Sequence, residues 1–226
     1  MENRAAALAS HGKACARVAA RFSSRWLQHY SSSKLRSDPI FRAVAELLRE
    51  KEGALLDVGC GVGLLPFYLR ERGFTGAITG LEIDARKVRR ARAAASPADG
   101  RITFLEQDVG SELPPFSGNI ALLDLLHYMD PSRQESLLQK LASRVAPGGM
   151  LLIRDCPRDG SPRFWMTYLG EVFAQAIFWN IGASLHFPTR ESIIGSFNAD
   201  EFSSEERPMF AGGPFNNRLF IFRRRL

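Results

Sequence analysis

The run Leu55-Leu56-Asp57-Val58, followed by Gly59-Cys60-Gly61-Val62-Gly63, constrains this chain more than any other stretch, because it joins a short apolar strand to glycines at alternate positions. Without a Cβ, glycine takes backbone angles closed to other residues and lets a ligand lie against the main chain, so the pattern predicts a nucleotide-cradling turn. Read from Gly59 or Gly61, the third glycine of a G-x-G-x-x-G fingerprint falls on Leu64 or Pro66. That mismatch disfavours a nicotinamide or flavin cofactor. A glycine-rich turn also serves any sharp change of direction, so the elements that follow decide its meaning.

Leu64 to Arg72 reads as a helix closed by Gly73, and Ala77 to Leu81 as a buried strand ending in Glu82-Ile83-Asp84, which together make a βαβ unit. Ligands of open parallel sheets sit beyond the carboxyl ends of the strands, so an acid there is placed to accept hydrogen bonds from ribose hydroxyls. Glu82 is the first choice; Asp84, just before Ala85 and a basic helical run, is the alternative and reads equally as a helix N-cap. A third strand, Ile102 to Glu106, leads into Gln107-Asp108-Val109, and a fourth, Asn119 to Leu123, into Asp124-Leu125-Leu126-His127-Tyr128. Aspartate at a strand end also caps turns, which is the plain structural reading of Asp108. A helix over Pro131 to Val145 then ends at Ala146-Pro147-Gly148-Gly149 before strand Met150 to Ile153. Strands and helices alternating in this way imply a doubly wound α/β sheet, mostly parallel and buried on both faces.

Asp57, Gly59, Gly61 and Gly63 match D-x-G-x-G-x-G, and with the later motifs in register from about Leu55 to Arg154 the chain resembles the class I S-adenosylmethionine-dependent methyltransferases. The resemblance implies a Rossmann-like sheet of seven strands and S-adenosylmethionine as cofactor, leaving S-adenosylhomocysteine as product. It places Asp57, Gly59, Cys60, Gly61, Gly63, Glu82, Ile83, Asp108, Val109 and Asp124 at the cofactor, with Glu82 on the ribose and Asp108 near the adenine amine. Cys60, between two turn glycines, reads as a small residue lining the cleft. The segment from Asp124 to Tyr128 corresponds to the part that lines the reaction site in that family.

With 226 residues and 45% hydrophobic content, the chain is expected to form one substantial core. An N-terminal helical extension or lid over residues 1–38 precedes a methyltransferase domain over 39–226, with an aromatic-rich acceptor-side insertion at about 156–190. The stretch to Tyr30 carries Arg4, Lys13, Arg17, Arg21 and Arg25 without the apolar core of a signal peptide, and its apolar spacing suits an amphipathic helix, packed or frayed. Ser31-Ser32-Ser33 reads as a joint, and Asp38-Pro39 as the start of a helix over Ile40 to Glu50. Cys15, Cys60 and Cys156 show no metal-like spacing and point to a reduced, cytoplasmic protein without a bound metal.

Methyl transfer to a hydroxyl needs positioning and removal of a proton. His11 and His29 precede the fold, leaving His127 beyond the fourth strand as the first candidate base and His186 as the second, with Tyr128 and Asp155 as orienters. A histidine hydrogen-bonded at a strand end is the structural alternative for His127. Arg154, Arg158, Arg163 and Arg190 are candidates to hold an acceptor's carboxylate or phosphate. Phe164, Trp165, Tyr168, Phe173, Phe178, Trp179 and Phe187 supply either an acceptor wall or a packed helix, while Glu171, Gln175 and Asn180 break the run too often for a membrane span. Contact with a membrane surface stays open.

The formal charge of +6, with Arg86, Lys87, Arg89, Arg90 and Arg92 on one helix and Arg223 to Arg225 at the tail, raises nucleic acid as a second partner class. No aromatic residues interleave with that basic run, and no N-P-P-Y or D-P-P-Y tetrapeptide follows the fourth strand. The C-terminal part, with a helix near Arg190 to Phe197, a turn at Gly212-Gly213-Pro214 and a strand over Arg218 to Phe222, is read as supplying antiparallel sixth and seventh strands. Arg25-Trp26, Tyr30, Lys34-Leu35 and Ser37-Asp38-Pro39 add a weaker similarity to small bacterial methyltransferases of aryl-polyene pigment pathways. That similarity implies O-methylation of a phenolic head group, small or carrier-protein-linked, with the positive surface suiting an acidic carrier. Two other readings are an RNA methyltransferase and a non-catalytic S-adenosylmethionine-binding partner protein.

Overall fold

A computed structural model describes the backbone of residues 2–51, 53–177, 184–210 and 212–226, and their side chains apart from 2–9 and 174–177. The chain divides into two compact units, Met1–Val109 and Gly110–Leu226.

The first unit opens with three helices, α1 (Glu2–Ala20), α2 (Arg25–Ser37) and α3 (Ile40–Leu47), before β1 (Leu55–Val58). The serine triplet lies inside α2, against the expectation of a joint: Leu27, Ser31 and Leu35 recur every fourth residue and are buried. Burial of that stripe outweighs the weak helix preference of serine. Asp38 caps α3 by accepting the Ile40 amide at 3.1 Å, and α3 ends at Leu47, short of the expected Glu50. The N-terminal helix is tied to α4 (Leu64–Glu71): His11 Nδ1 lies 2.8 Å from the Tyr68 hydroxyl. Arg21 reaches both Glu71 at 2.9 Å and Asp99 at 2.6 Å. Around α4 and α5 (Ala85–Ala94) run β2 (Ile78–Glu82) and β3 (Ile102–Glu106), and β1, β2 and β3 pair in parallel.

In the second unit β4 (Asn119–Leu123) and β5 (Met150–Asp155) pair in parallel around α6 (Pro131–Ala142). After α7 (Pro162–Ile177) and α8 (Arg190–Gly195), β6 (Phe202–Pro208) and β7 (Arg218–Arg224) form an antiparallel hairpin whose second strand lies antiparallel to β5. The helix expected to reach Val145 stops at Ala142. The seven strands follow the order β3-β2-β1-β4-β5-β7-β6, the mostly parallel, doubly wound α/β sheet expected from the sequence. Its core strands are covered on both faces: every residue of β1 and β5 is buried, the charged Asp57, Arg154 and Asp155 included, as parallel strands flanked by helices require.

Candidate active site

In the first unit, the loop after β1 takes three left-handed turns, with φ of 79° at Gly59, 57° at Gly61 and 84° at Gly63. The Gly59 and Cys60 amides both donate to the Leu81 carbonyl, at 2.8 and 2.9 Å, which fastens the loop to the end of β2. The glycines differ in purpose. A Cβ on Gly63 would stand 2.7 Å from the Phe104 ring, whereas one on Gly61 would meet nothing within 4 Å. Gly63 is therefore required by packing as well as by φ, and Gly61 borders open space. Cys60 rests over β2, where a Cβ on Gly80 would come within 2.7 Å of its sulfur. Burial, then the neighbouring Asp57 and Glu82 carboxylates, push its thiol well above the usual range, which makes it inert.

Glu82, buried at the carboxyl end of β2, accepts the Gly61 amide at 3.0 Å with Oε2 and the Asp84 amide at 3.0 Å with Oε1. Each oxygen keeps a further accepting lone pair. Asp84 is committed elsewhere: it caps α5 through the Arg86 amide at 2.8 Å, and the Arg86 side chain holds its carboxyl down at about 2. Ile83, between them, is 65% exposed. Asp108 follows β3, whose end lies level with Glu82 in the register Glu82↔Glu106, and Val109 beside it is buried.

Asp57 is buried in β1, and its Oδ2 has no hydrogen-bond partner. Burial, and secondarily the charge of Glu82, raise its pKa to about 7. A carboxyl of ordinary pKa ~3.9 when unfolded and about 7 when folded binds its proton more tightly in the native state. It therefore lowers stability as pH rises from about 4 to about 7, by at most about 4 kcal/mol. Thermal melts across that range should show Asp57→Asn flattening the decline and melting at or above the wild type at pH ~8. An unchanged slope in the variant would assign the decline to other groups.

In the second unit β4 is followed by Asp124, the one non-glycine residue with positive φ, 56°, among the described residues. Arg154 on β5 grips it as a fork: Nε donates to Oδ1 at 2.6 Å, Nη2 pairs with Oδ2, and the Asp124 amide donates to the Arg154 carbonyl at 2.8 Å. Asp124, expected at the cofactor, thus has both carboxylate oxygens engaged by a buried arginine, and Arg154 is committed inside the unit. Arg190 pairs with Glu206 at 2.7 Å. Arg158 is exposed and borders a cleft of about 440 Å³ beside Gln134, Phe187 and Ser192.

A single 3₁₀ turn, Leu126–Tyr128, follows and carries His127, 3% exposed. Its Nδ1 lies 2.8 Å from Oδ1 of Asp155, the buried last residue of β5, and that oxygen also accepts the Cys156 amide at 2.8 Å. With Nδ1–H assigned as donor to the carboxylate, Nε2 is an acceptor. Nε2 has no hydrogen-bond partner and stands 3.8 Å from Glu171 Oε2, which accepts the Tyr128 hydroxyl at 2.8 Å. The Phe187 ring stacks on the imidazole at 5.1 Å between centroids. Burial pulls the ring's pKa down, but the Asp155 carboxylate and then Glu171 outweigh it, so the net shift is upward from 6.5.

The other candidate, His186, meets this group through its backbone: its amide donates to the His127 carbonyl at 2.8 Å, and its own carbonyl accepts from Gln134 Nε2 at 2.5 Å. Gln134 also donates to the carbonyls of Leu126 and Met129, at 3.0 and 2.9 Å, and so locks the turn. Of the aromatic supply, Phe164 and Phe187 form a small core with Cys156 that Tyr168 packs against. Phe178, Trp179 and Asn180 lie outside the described residues. Glu171 and Gln134 are the members of this group that sequence reading did not place in it. A lone carboxylate inside an aromatic helix was the available signal for Glu171.

Among the described residues, no group of His, Cys, Asp and Glu is arranged to hold a metal ion, and no helix is long and apolar enough to cross a membrane. Residues 55–149 match the family model described as a methyltransferase domain. The ribosomal RNA small subunit methyltransferase C of Pseudomonas aeruginosa is 36% identical over 103 residues, 44% of this chain and 31% of that protein. The ubiquinone biosynthesis O-methyltransferase of Erwinia tasmaniensis is 30% identical over 119 residues, 51% of this chain and 47% of that one. The chain thus spans a third to a half of the length of these curated relatives. Magnesium protoporphyrin IX methyltransferase from Synechocystis, solved with bound S-adenosylhomocysteine, superposes with a TM-score of 0.63 at 20% identity, covering 82% of this chain and 81% of that one. Residues 55–149 are thus a match to a methyltransferase domain, and the fold is that of solved S-adenosylmethionine-dependent methyltransferases.

Proposed function

We propose, from that domain match and fold, that the protein transfers the methyl group of S-adenosylmethionine to a hydroxyl of an aromatic acceptor, small or carrier-linked, in the cytoplasm. The residues of the first unit fit the cofactor. Gly61 borders open space, Glu82 keeps accepting lone pairs for the ribose hydroxyls, Ile83 offers an exposed apolar side chain for the base, and Asp57 keeps an orphaned oxygen. Asp108 and Val109 are assigned to the adenine edge. When bound, the cofactor supplies a methyl group activated on a sulfonium. Asp57 would then be held ionised beside a cationic ligand, so affinity should rise as pH passes about 7.

The observation that carries the hydroxyl acceptor is the buried His127–Asp155 pair with Nε2 unpartnered. A hydroxyl must lose its proton as it is methylated, and a neutral imidazole held in one tautomer by a carboxylate is suited to receive it. Asp155 fixes the ring and Glu171, held by Tyr128, sets the charge on its far side. The O-methyltransferase among the relatives supports the same reading. The RNA reading is favoured by the charge surplus, which lies wholly in residues 1–109, and by the ribosomal RNA relative. Steeply salt-dependent RNA binding would bring it forward.

Calorimetric titration tests the proposal: S-adenosylmethionine and S-adenosylhomocysteine should bind saturably and NADH should not. Failure of both sulfur ligands to bind would remove the enzyme reading. Binding without methylation of any phenolic acceptor would favour the non-catalytic partner.

A further inference from the structure

Among the described residues, helix α7 uses one face inside its unit and exposes apolar side chains on the other. Phe164 and Thr167 are buried, and Glu171 takes the Tyr128 hydroxyl. On the opposite side Trp165, Met166, Leu169, Val172 and Phe173 are 55%, 48%, 59%, 42% and 67% exposed. Their spacing of i, i+1, i+4, i+7 and i+8 makes a single stripe along the helix. Phe215, 43% exposed, widens it, because a Cβ on Gly170 would stand 3.2 Å from its ring. The helix's two charged residues lie outside the stripe: Glu171 is turned to Tyr128, and Arg163 sits at the N-terminal end. Scattered exposed apolar side chains are ordinary, but a contiguous patch without charge marks a surface that is covered in use.

We propose that this face rests on an anionic lipid surface. One helix offers a convex stripe rather than a groove for a peptide. Among the described residues of the stripe, the Trp165 indole is the one side chain with a hydrogen-bonding group, where specific protein interfaces carry about one hydrogen bond per 100–200 Å². Tryptophan, phenylalanine, leucine and methionine on one side of a short helix suit the boundary between headgroups and acyl chains. Cations flank the N-terminal end: Arg163 and Arg218 both lie over the Phe210 ring, at 4.6 and 5.0 Å, and Arg158 nearby in sequence is exposed. The surface does not depend on methyl transfer. It would nevertheless bring the helix that bears Glu171 to the place where an apolar acceptor dissolves.

The test is co-sedimentation of the full chain with vesicles of equal parts phosphatidylcholine and phosphatidylglycerol, against pure phosphatidylcholine, at low and high salt. Binding should be stronger to the anionic vesicles, weaken with salt, and fall at least tenfold in Leu169→Glu/Phe173→Glu, with an unchanged circular dichroism spectrum. Should that variant fold poorly, Leu169→Ala/Phe173→Ala carries the same expectation with a smaller fall. No wild-type binding, equal binding to neutral vesicles, or undiminished binding by a folded variant each overturns the proposal. A wild-type dimer that the variant converts to monomer, with no vesicle binding, would assign the stripe to a second copy instead. Because no turnover is measured, these outcomes stand apart from the methyltransferase reading.

Discussion

Glu82→Ala should lower affinity for S-adenosylmethionine by about 100-fold or more, the loss expected when two hydrogen bonds to a charged, buried acceptor disappear together. Part of that fall is local. The Glu82 carboxylate is the acceptor for the Gly61 and Asp84 amides, so its removal also frees the glycine loop at the position where the main chain borders open space. Glu82→Gln separates the contributions, since its single carbonyl oxygen can keep one of the two amides while the charge is gone; its affinity should fall between wild type and alanine. Asp84→Ala is the control. Asp84 caps α5 and pairs with Arg86, so its loss should cost about 1 kcal/mol of stability and leave affinity nearly unchanged. Asp57 supplies a readout independent of ligand. Glu82 is one of the two causes raising its pKa, so Glu82→Ala should lower that pKa and shrink the loss of stability toward neutral pH. Calorimetry showing equal affinity in wild type and Glu82→Ala would end the ribose assignment, and a reversed ranking of the Glu82 and Asp84 variants would transfer it to Asp84.

The parts of this molecule that sequence revealed are those where local chemistry and tertiary demand agree. Glycine at positions 59, 61 and 63 is needed because φ is positive at each, and an apolar run before it can only be a buried strand. Asp84 was readable as a cap because capping acts within a few residues. Where the deciding contact is distant, sequence misleads. Ser31 to Ser33 carry turn-like composition, yet they lie in a helix because Leu27 and Leu35 bury the stripe on either side. Glu171 reads as an interruption in an apolar helix, and its meaning comes from Tyr128, 43 residues earlier. In each case a partner far along the chain decides the side chain's role, and no periodicity encodes that partner.

His127→Ala should leave cofactor affinity unchanged and slow methyl transfer by a factor of about 10²–10⁴, the range for loss of a positioned proton acceptor. Asp155→Asn is the sharper variant. It keeps the shape of the pair but removes the charge that holds Nδ1–H, so turnover should fall although the ring is still present. The pH profile supplies the sign. Asp155 and Glu171 raise the pKa of His127 above 6.5 against the pull of burial, and the base must be neutral to act. Turnover should therefore climb with pH through that raised value, and Asp155→Asn or Glu171→Gln should move the climb to lower pH, the Asp155 variant further. Stability runs the other way. A histidine whose folded pKa is raised contributes most below its unfolded pKa, and the contribution is lost as pH rises through the folded value. The same ring thus favours folding on the acid side and catalysis on the alkaline side. His127→Ala should remove both slopes, and a variant that kept the wild-type rate and pH profile would return His127 to a structural role at the end of β4.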